Sequence, residues 1–553
     1  MACHGDVTAF DSAHDPAALG CWVCHQGDRS QRAAGLAHRG MIPVPGNLSS
    51  VGMTCGRAGC HAELAARVST SLMATARGIV SVDRFVFGEQ PTPDGEVPIS
   101  AVGTSPADTH LRQLCSTCHL SKSKDTPGPV TELSRGGGCV ACHLRENGPR
   151  PAHPGLTIDV RDENCFGCHS RSGRISLSYA GWMESDGTKP GTRELLDGRS
   201  VEPSSDDVHH ARGMACIDCH TAEETMGDGR LHLHEEQATH VRCETCHRLT
   251  RARTASAGDW NREVAVIITL RAARAGRQPT NSALVEDRSG EVLTHARPLA
   301  GGVVELFGKL DGLRRLATPP SRACRAIRGH DRLSCQSCHS TWISRCSGCH
   351  TQRDERGEWV EYEVMPRATP PTLGILERDG RSTIEPFAPG MVLTLGMGPR
   401  TDPLPEASSS LIGPRARFAR LYAFAAPHTT RREARGCESC HRDPEALGYG
   451  HGTLRIVEEK GEPRWMFEPT YELSPFDRLP KDAWIRFRSE PAGSASTRKE
   501  ARPLDLQTQD RALRVGACLS CHDATKDRRL FEDFGESLRG LSSSCRFPGR
   551  VTK

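Results

Sequence analysis

The sequence predicts mostly irregular coil with short α-helices, wrapped around large groups that are not side chains, with minor β elements in the C-terminal half. Three observations carry this expectation. Aromatic residues make up only 5% of the 553, too few to fill a core of this size with rings. Glycine (54) and proline (36) are plentiful, as in a chain of turns. Cysteine is the outlier at 25, and most cysteines stand three apart with a histidine directly after the second.

Composition excludes several classes. Lys plus Arg (71) nearly balances Asp plus Glu (68), so no global charge points to a nucleic-acid partner. No apolar run approaches the roughly 18 residues of a membrane span; the longest candidate is Val264 to Leu270, and the chain reads as soluble. There is no P-loop, and the run Gly448 to Gly452 lacks the strand-turn-helix setting of a nucleotide site.

Ten pentapeptides read C-x-x-C-H. They place cysteine pairs and a following histidine at Cys21, Cys24, His25; Cys115, Cys118, His119; Cys139, Cys142, His143; Cys165, Cys168, His169; and Cys216, Cys219, His220. The other five are Cys243, Cys246, His247; Cys335, Cys338, His339; Cys346, Cys349, His350; Cys437, Cys440, His441; and Cys518, Cys521, His522. Chance would supply on the order of 0.05 such motifs. On one helical turn the cysteines at i and i+3 face the same way, so both thiols can add to the vinyl groups of one haem. The histidine at i+4 then presents an imidazole nitrogen to the iron, while its other nitrogen is free for a carbonyl that fixes the tautomer. A zinc site, a thioredoxin-like redox pair or a disulfide framework would give C-x-x-C without requiring histidine next each time.

Two variants extend the set. Cys55, Cys60 and His61 read as C-x4-C-H, against the alternative of a disulfide. Cys3 and His4 read as the end of a C-x-x-C-H whose first cysteine precedes Met1, so an upstream segment, with an export signal, is expected; a chance Cys-His pair or a single thioether is the alternative. The expected tally is about 12 covalently attached c-type haems, or 11 without the first. Cys324 and Cys545 remain, either paired with each other or as two thiols.

These motifs make the chain resemble the bacterial multihaem c-type cytochromes, some of which use the wider C-x4-C-H loop. The resemblance covers the motif-bearing segments only. It implies a multihaem cytochrome c fold, mostly irregular coil with short α-helices wrapped around a packed haem chain, with no cofactor besides haem.

Thirteen histidines lie outside the motifs: His14, His38, His110, His153, His209, His210, His232, His234, His240, His295, His330, His428 and His451. Residues 1 to 250 hold eight motif sites and nine of these, the remainder four and four, so supply follows demand. Many fall just before a motif, on the wrong side to reach that motif's own haem, and are expected to cap a neighbouring one. Met73 is an alternative axial ligand, though a core methionine is commoner. Bis-His ligation implies low reduction potentials. Twelve ferric haems with their propionates would take the formal charge from +3 to roughly −9, and arginines are expected to pair with the propionates.

Motif starts at Cys115, Cys139, Cys165, Cys216 and Cys243 are 24, 26, 51 and 27 residues apart, read as a repeat of about 25 with one unit lacking its haem. Cys335 and Cys346 start 11 residues apart, too close for intervening structure, which predicts a haem pair. The expected divisions are 1–62 (three sites), 63–109 (linker and short helices), 110–250 (five sites), 251–323 (haem-poor insert), 324–351 (haem pair), 352–426 (haem-poor, β-containing) and 427–553 (two sites). Strand-like alternation is read at Val264 to Leu270, Gly302 to Leu306 and Met391 to Leu395, with a turn at Asp379-Gly380; Leu72 to Val80 and the motif turns read as short helices.

The leading functional expectation is electron transfer between a quinol-linked donor and a terminal or outer-membrane acceptor, in anaerobic or extracellular respiration, from a periplasmic or extracellular location. The rival is a multihaem reductase of nitrite, hydroxylamine or a sulfur oxyanion with one open haem. No C-x-x-C-K motif occurs and the spare histidines suffice to cap every haem; a catalytic site, if present, is sought near Arg174 and Tyr179.

Overall fold

A computed structural model describes residues 7, 10, 12–146, 153–170, 175–248, 252–325, 327–345, 349–353, 356–363, 367–378, 380–396, 416–460, 462–491 and 496–539. Most helices are four or five residues long, and motif segments supply many of them: Trp22–His25, Val140–His143, Asp162–His169, Cys216–Cys219, Cys243–Cys246, Cys335–His339 and Glu438–His441. The longest helices, Arg262–Arg274 and Leu506–Cys518, are set by their caps. Asn261 accepts from the Val264 amide at 2.8 Å and Asp505 from the Thr508 amide at 2.7 Å.

Helix Arg262–Arg274 corrects the strand expected at Val264 to Leu270. The β-branched run favours a strand by propensity, but Asn261 nucleates a helix, and Ile268 and Ala272, four apart, are buried together on one face. The segment Leu72 to Val80 is helical, as expected. It divides into Leu72–Thr75 and Arg77–Phe87 at Ala76, whose φ of 46° breaks the path.

The β content exceeds the minor C-terminal share expected. A six-stranded sheet runs in the order Trp359–Glu363, Cys349–Arg353, Arg381–Gly396, Thr372–Arg378, Ala501–Pro503, and Ala416–Phe424 also pairs with Arg381–Gly396. The expected strand at Met391 to Leu395 lies inside Arg381–Gly396, and that at Gly302 to Leu306 overlaps Val304–Phe307. The turn at 379–380 joins Thr372–Arg378 to Arg381–Gly396, with Gly380 at φ 70°; Asp379 lies outside the described residues. In the N-terminal half, Trp182–Ser185, Arg193–Glu194 and Ser200–Pro203 form a three-stranded sheet over Leu177, Leu195 and Val201. This sheet, not a repeat unit lacking its haem, occupies the 51-residue gap between the Cys165 and Cys216 motif starts.

Two motif expectations change. Cys349 and His350 lie in strand Cys349–Arg353 rather than on a helical turn. Strand Ile343–Arg345, paired with Arg367–Thr369, stands between the Cys335 and Cys346 motifs, so structure does intervene.

Side-chain cores form between motifs. One packs Leu373, Ile375, Leu447, Tyr449, Leu454, Ile485, Leu504 and Leu513 on the six-stranded sheet; another holds Leu376, Phe387, Tyr422, Trp484 and Ala501. Val82, Val86 and Phe87 of helix Arg77–Phe87 pack with Trp359 and Leu421, tying the N-terminal helices to that sheet. Among the described residues no helix is long and apolar enough to cross a membrane.

Candidate functional site

The motif segments surround a connected cavity of about 4500 Å³. Ordinary ligand pockets hold roughly 300–1,000 Å³, so this space suits several large cofactors rather than one small molecule. Side chains from nine motifs line it, from Cys24 through Cys55, Cys115, Cys139, Cys165, Cys216, Cys243 and Cys335 to Cys437. Leu19, Ile79, Val266, Leu270 and Leu316, all solvent-exposed in the polypeptide alone, also face it. Apolar surface of this kind is what flat macrocycles would cover. Arg271 and Lys309 line it too, with Arg271 Nε and Nη1 lacking protein hydrogen bonds, as an anionic propionate would require.

Eight of the motif histidines are anchored through Nδ1. His25, His143, His247, His339 and His441 donate to the carbonyls of Ile42, Thr157, Thr318, Arg431 and Ala512 at 2.8–3.1 Å. His119 Nδ1 meets Ser121 Oγ at 2.7 Å, His220 Nδ1 meets Glu224 at 2.6 Å, and His522 Nδ1 meets Asp527 at 3.2 Å. Each contact leaves Nε2 to a metal. Burial lowers the pKa of His25, His61 and His119 and takes His441 to about 4, which favours the neutral, ligating imidazole. Burial acts the same way on His220, but the Glu224 carboxylate outweighs it and raises that pKa.

Five motif histidines each face a spare histidine. Ring centroids are 6.1 Å apart for His61 and His14, 5.9 Å for His25 and His153, 6.2 Å for His247 and His209, 6.1 Å for His220 and His428, and 6.0 Å for His441 and His330. A metal bonded to an imidazole nitrogen on either side at about 2 Å would put ring centres about 6 Å apart. In no pair does the spare histidine face the motif that follows it: His330 precedes Cys335 yet faces His441, and His428 precedes Cys437 yet faces His220.

The remaining spare histidines divide by burial. His110 is buried, with Nδ1 on Asp83 at 3.0 Å. His234 is buried, its pKa lowered by burial to about 4, and its Nε2 lies 3.5 Å from Asp94. His295 is buried, with Nε2 on the Asp218 carbonyl at 2.8 Å and Nδ1 making no hydrogen bond; His240 lines the cavity. His38 is exposed, His210 and His232 contact Asp206 and Asp228, and the half-exposed His451 lies near Glu445. Met73 lines the cavity beside the Cys115 motif, its carbonyl accepting from the Leu120 amide.

Cysteines of different motifs also approach one another. Cys55 lies beside Cys139, Cys118 beside Cys168, Cys165 beside Cys216 and Cys243 beside Cys335; the neighbouring thiol and burial raise the pKa of Cys55, Cys168, Cys216 and Cys335. Cys24 lies near Cys55, Cys142 near Cys165, Cys219 near Cys246 and Cys338 near Cys440. Cys437 packs against the cluster of Cys518, Leu519 and Phe531. The motifs whose side chains are described therefore form a continuous series, 21–25, 55–61, 139–143, 165–169, 216–220, 243–247, 335–339, 437–441 and 518–522, with 115–119 beside 165–169. At its end Cys521 is exposed and His522 half-exposed. Gly138 lets the Cys139 motif enter this series: it has φ 56°, and a Cβ there would collide with the Gly46 carbonyl.

Cys55 and Cys60 are free thiols, as is the exposed Cys324. Cys3, His4, Arg174, Cys346 and Cys545 lie outside the described residues, as do the side chains of Cys349 and His350. Tyr179 is held by its hydroxyl on the Met214 carbonyl, and its ring packs edge-on against His210 and His428. Among the described residues no three His, Cys, Asp or Glu side chains converge as a zinc site would require. Sequence reading missed Glu224 and Asp207. Glu224 stands four residues after His220, across the extended link His220-Thr221 between two short helices, and Asp207 two before His209, so neither spacing marks a helical pair in the sequence.

Paired thiols, tethered imidazoles and facing histidines all fit haem. No protein-family model, no curated protein and no solved structure matches this chain.

Proposed function

We propose that the chain is a multihaem c-type cytochrome that carries electrons through a series of mainly bis-His, low-potential haems. The observation that carries this reading is the set of five motif histidines each facing a spare histidine at 5.9–6.2 Å, four of the pairs lining one cavity. The cysteine pairs would hold each haem by thioethers, and the facing histidines would close both axial positions. The haems supply reversible one-electron chemistry; the protein fixes their spacing and tunes their potentials.

The continuous series of motifs supports transfer along it, and the exposed Cys521 and half-exposed His522 support exchange with a partner at the 518–522 motif. The reading includes a quinol-linked donor and a terminal or outer-membrane acceptor in anaerobic respiration, and thioether attachment of haem after export would put the chain outside the cytoplasm.

Full-length protein expressed with its upstream region and a haem-attachment system tests the proposal by pyridine haemochrome and low-temperature EPR. About 12 haems with low-spin signals support it. Absence of covalent haem overturns it, and a stoichiometric high-spin signal replaces the conduit by a reductase with an open haem.

A further inference from the structure

Five motif histidines back onto neutral backbone carbonyls, whereas His220 backs onto a carboxylate. Its Nδ1 lies 2.6 Å from Glu224 Oε1, which also accepts from Thr239 Oγ1 at 2.9 Å. Glu224 Oε2 is buried without a hydrogen bond, and the side chain is only 12% exposed, so solvent screens this charge little. The neighbouring motif has the same device on its other face. His209, which faces His247, directs Nδ1 to Asp207 Oδ1 at 2.8 Å. Asp207 is 3% exposed and is fixed by the Thr430 and His209 amides. The exposed His522–Asp527 contact, at 3.2 Å with both side chains near half-exposed, is open to screening.

A carboxylate accepting the outer N–H of a ligating imidazole makes that ligand more basic and favours the more positive oxidation state of its metal. Lys309 Nζ lies close by, bonded to the Ile217 carbonyl, and opposes this. It does not touch the His220 ring, whereas Glu224 does.

We infer that Glu224 and Asp207 are positioning residues that lower the reduction potentials of the haems at 216–220 and 243–247, adjacent centres in the middle of the series. This rests on the haem reading above. The pair sets a low-potential step between the two ends of the chain.

Spectroelectrochemical titration of the holoprotein, with haem counted by pyridine haemochrome, tests it. Glu224→Gln is expected to move one haem's share of the absorbance change to more positive potential, and Asp207→Asn another, with the count unchanged. Thr239→Val removes the competing hydroxyl, concentrates the carboxylate on His220 and is expected to move one haem to more negative potential. If Glu224→Gln loses haem, Thr239→Val decides. Curves that superimpose on the wild type at full haem count overturn the inference. A wild type that binds no haem overturns the underlying reading instead.

Discussion

His330 and His441 lie 6.0 Å apart, centroid to centroid, with ring planes 20° from parallel, although each sits beside a different motif. If an iron is held between them, His330 is the removable ligand, because His441 is tied to the Ala512 carbonyl on the helix that ends at Cys518. His330→Ala should turn one haem in about 12 high-spin, read as a new axial EPR signal of that weight with the haem count unchanged. His330→Met should keep that centre low-spin and raise its potential. An unchanged EPR spectrum in both variants would separate His330 from the iron.

The wider loop at Cys55 and Cys60 gives a test by stoichiometry. Both thiols are free, and Cys55 contacts Cys139 of the next motif in the series. Cys55→Ser combined with Cys60→Ser should remove one haem from the pyridine haemochrome count and from the intact mass. A disulfide role predicts an unchanged count.

Local chemistry was legible in the sequence, and long-range partnership was not. The spacing of Cys216, Cys219 and His220 specifies a helical turn presenting two thiols and an imidazole, because those constraints act within five residues. That His220 faces His428 depends on packing across the cavity, which no local pattern encodes. Helix Arg262–Arg274 has a different, local cause: its β-branched residues argue for a strand, while the adjacent Asn261 caps a helix and decides. The three-stranded sheet at 182–203 was hidden because its strands are only two to four residues long.

The six-stranded sheet is held by close backbone-to-ring packing at Gly374. A Cβ there would strike the Trp484 ring and come within 2.8 Å of the Phe387 ring, and both rings are buried. Strand Thr372–Arg378 pairs on both sides, so it has no room to shift. Gly374→Ala should cost about 1–3 kcal/mol, measured as a lower urea midpoint, with haem content retained.

Haem attachment should decide where the chain is ordered. Protein interiors tolerate few voids, and a lining that faces about 4500 Å³ has few side-chain partners of its own. The sheet around Trp484 and Tyr422 carries its own core. Protein made without haem attachment should be cut by protease first within 12–146, while the paired strands 372–378, 381–396 and 416–424 resist, as mapped by mass spectrometry. Equal protection with and without haem would refute this division.

Acid stability should depend on Glu305. Its carboxylate is 3% exposed and bridges Arg297 and Arg314 across adjacent strands. Burial alone would raise its pKa, but the two guanidiniums outweigh burial and hold it below the usual carboxylate range. A depressed folded-state pKa means the contribution is complete above the unfolded-state value of about 4.3 and is lost as pH falls through the folded one. Both arginines are about half-exposed, so the pair is worth about 1 kcal/mol rather than a fully buried value. Glu305→Gln should therefore lower the urea midpoint at pH 7, and the gap from wild type should close as pH falls below about 4. A gap that stays constant between pH 7 and pH 3 would assign the effect to packing of the amide, not to the carboxylate charge.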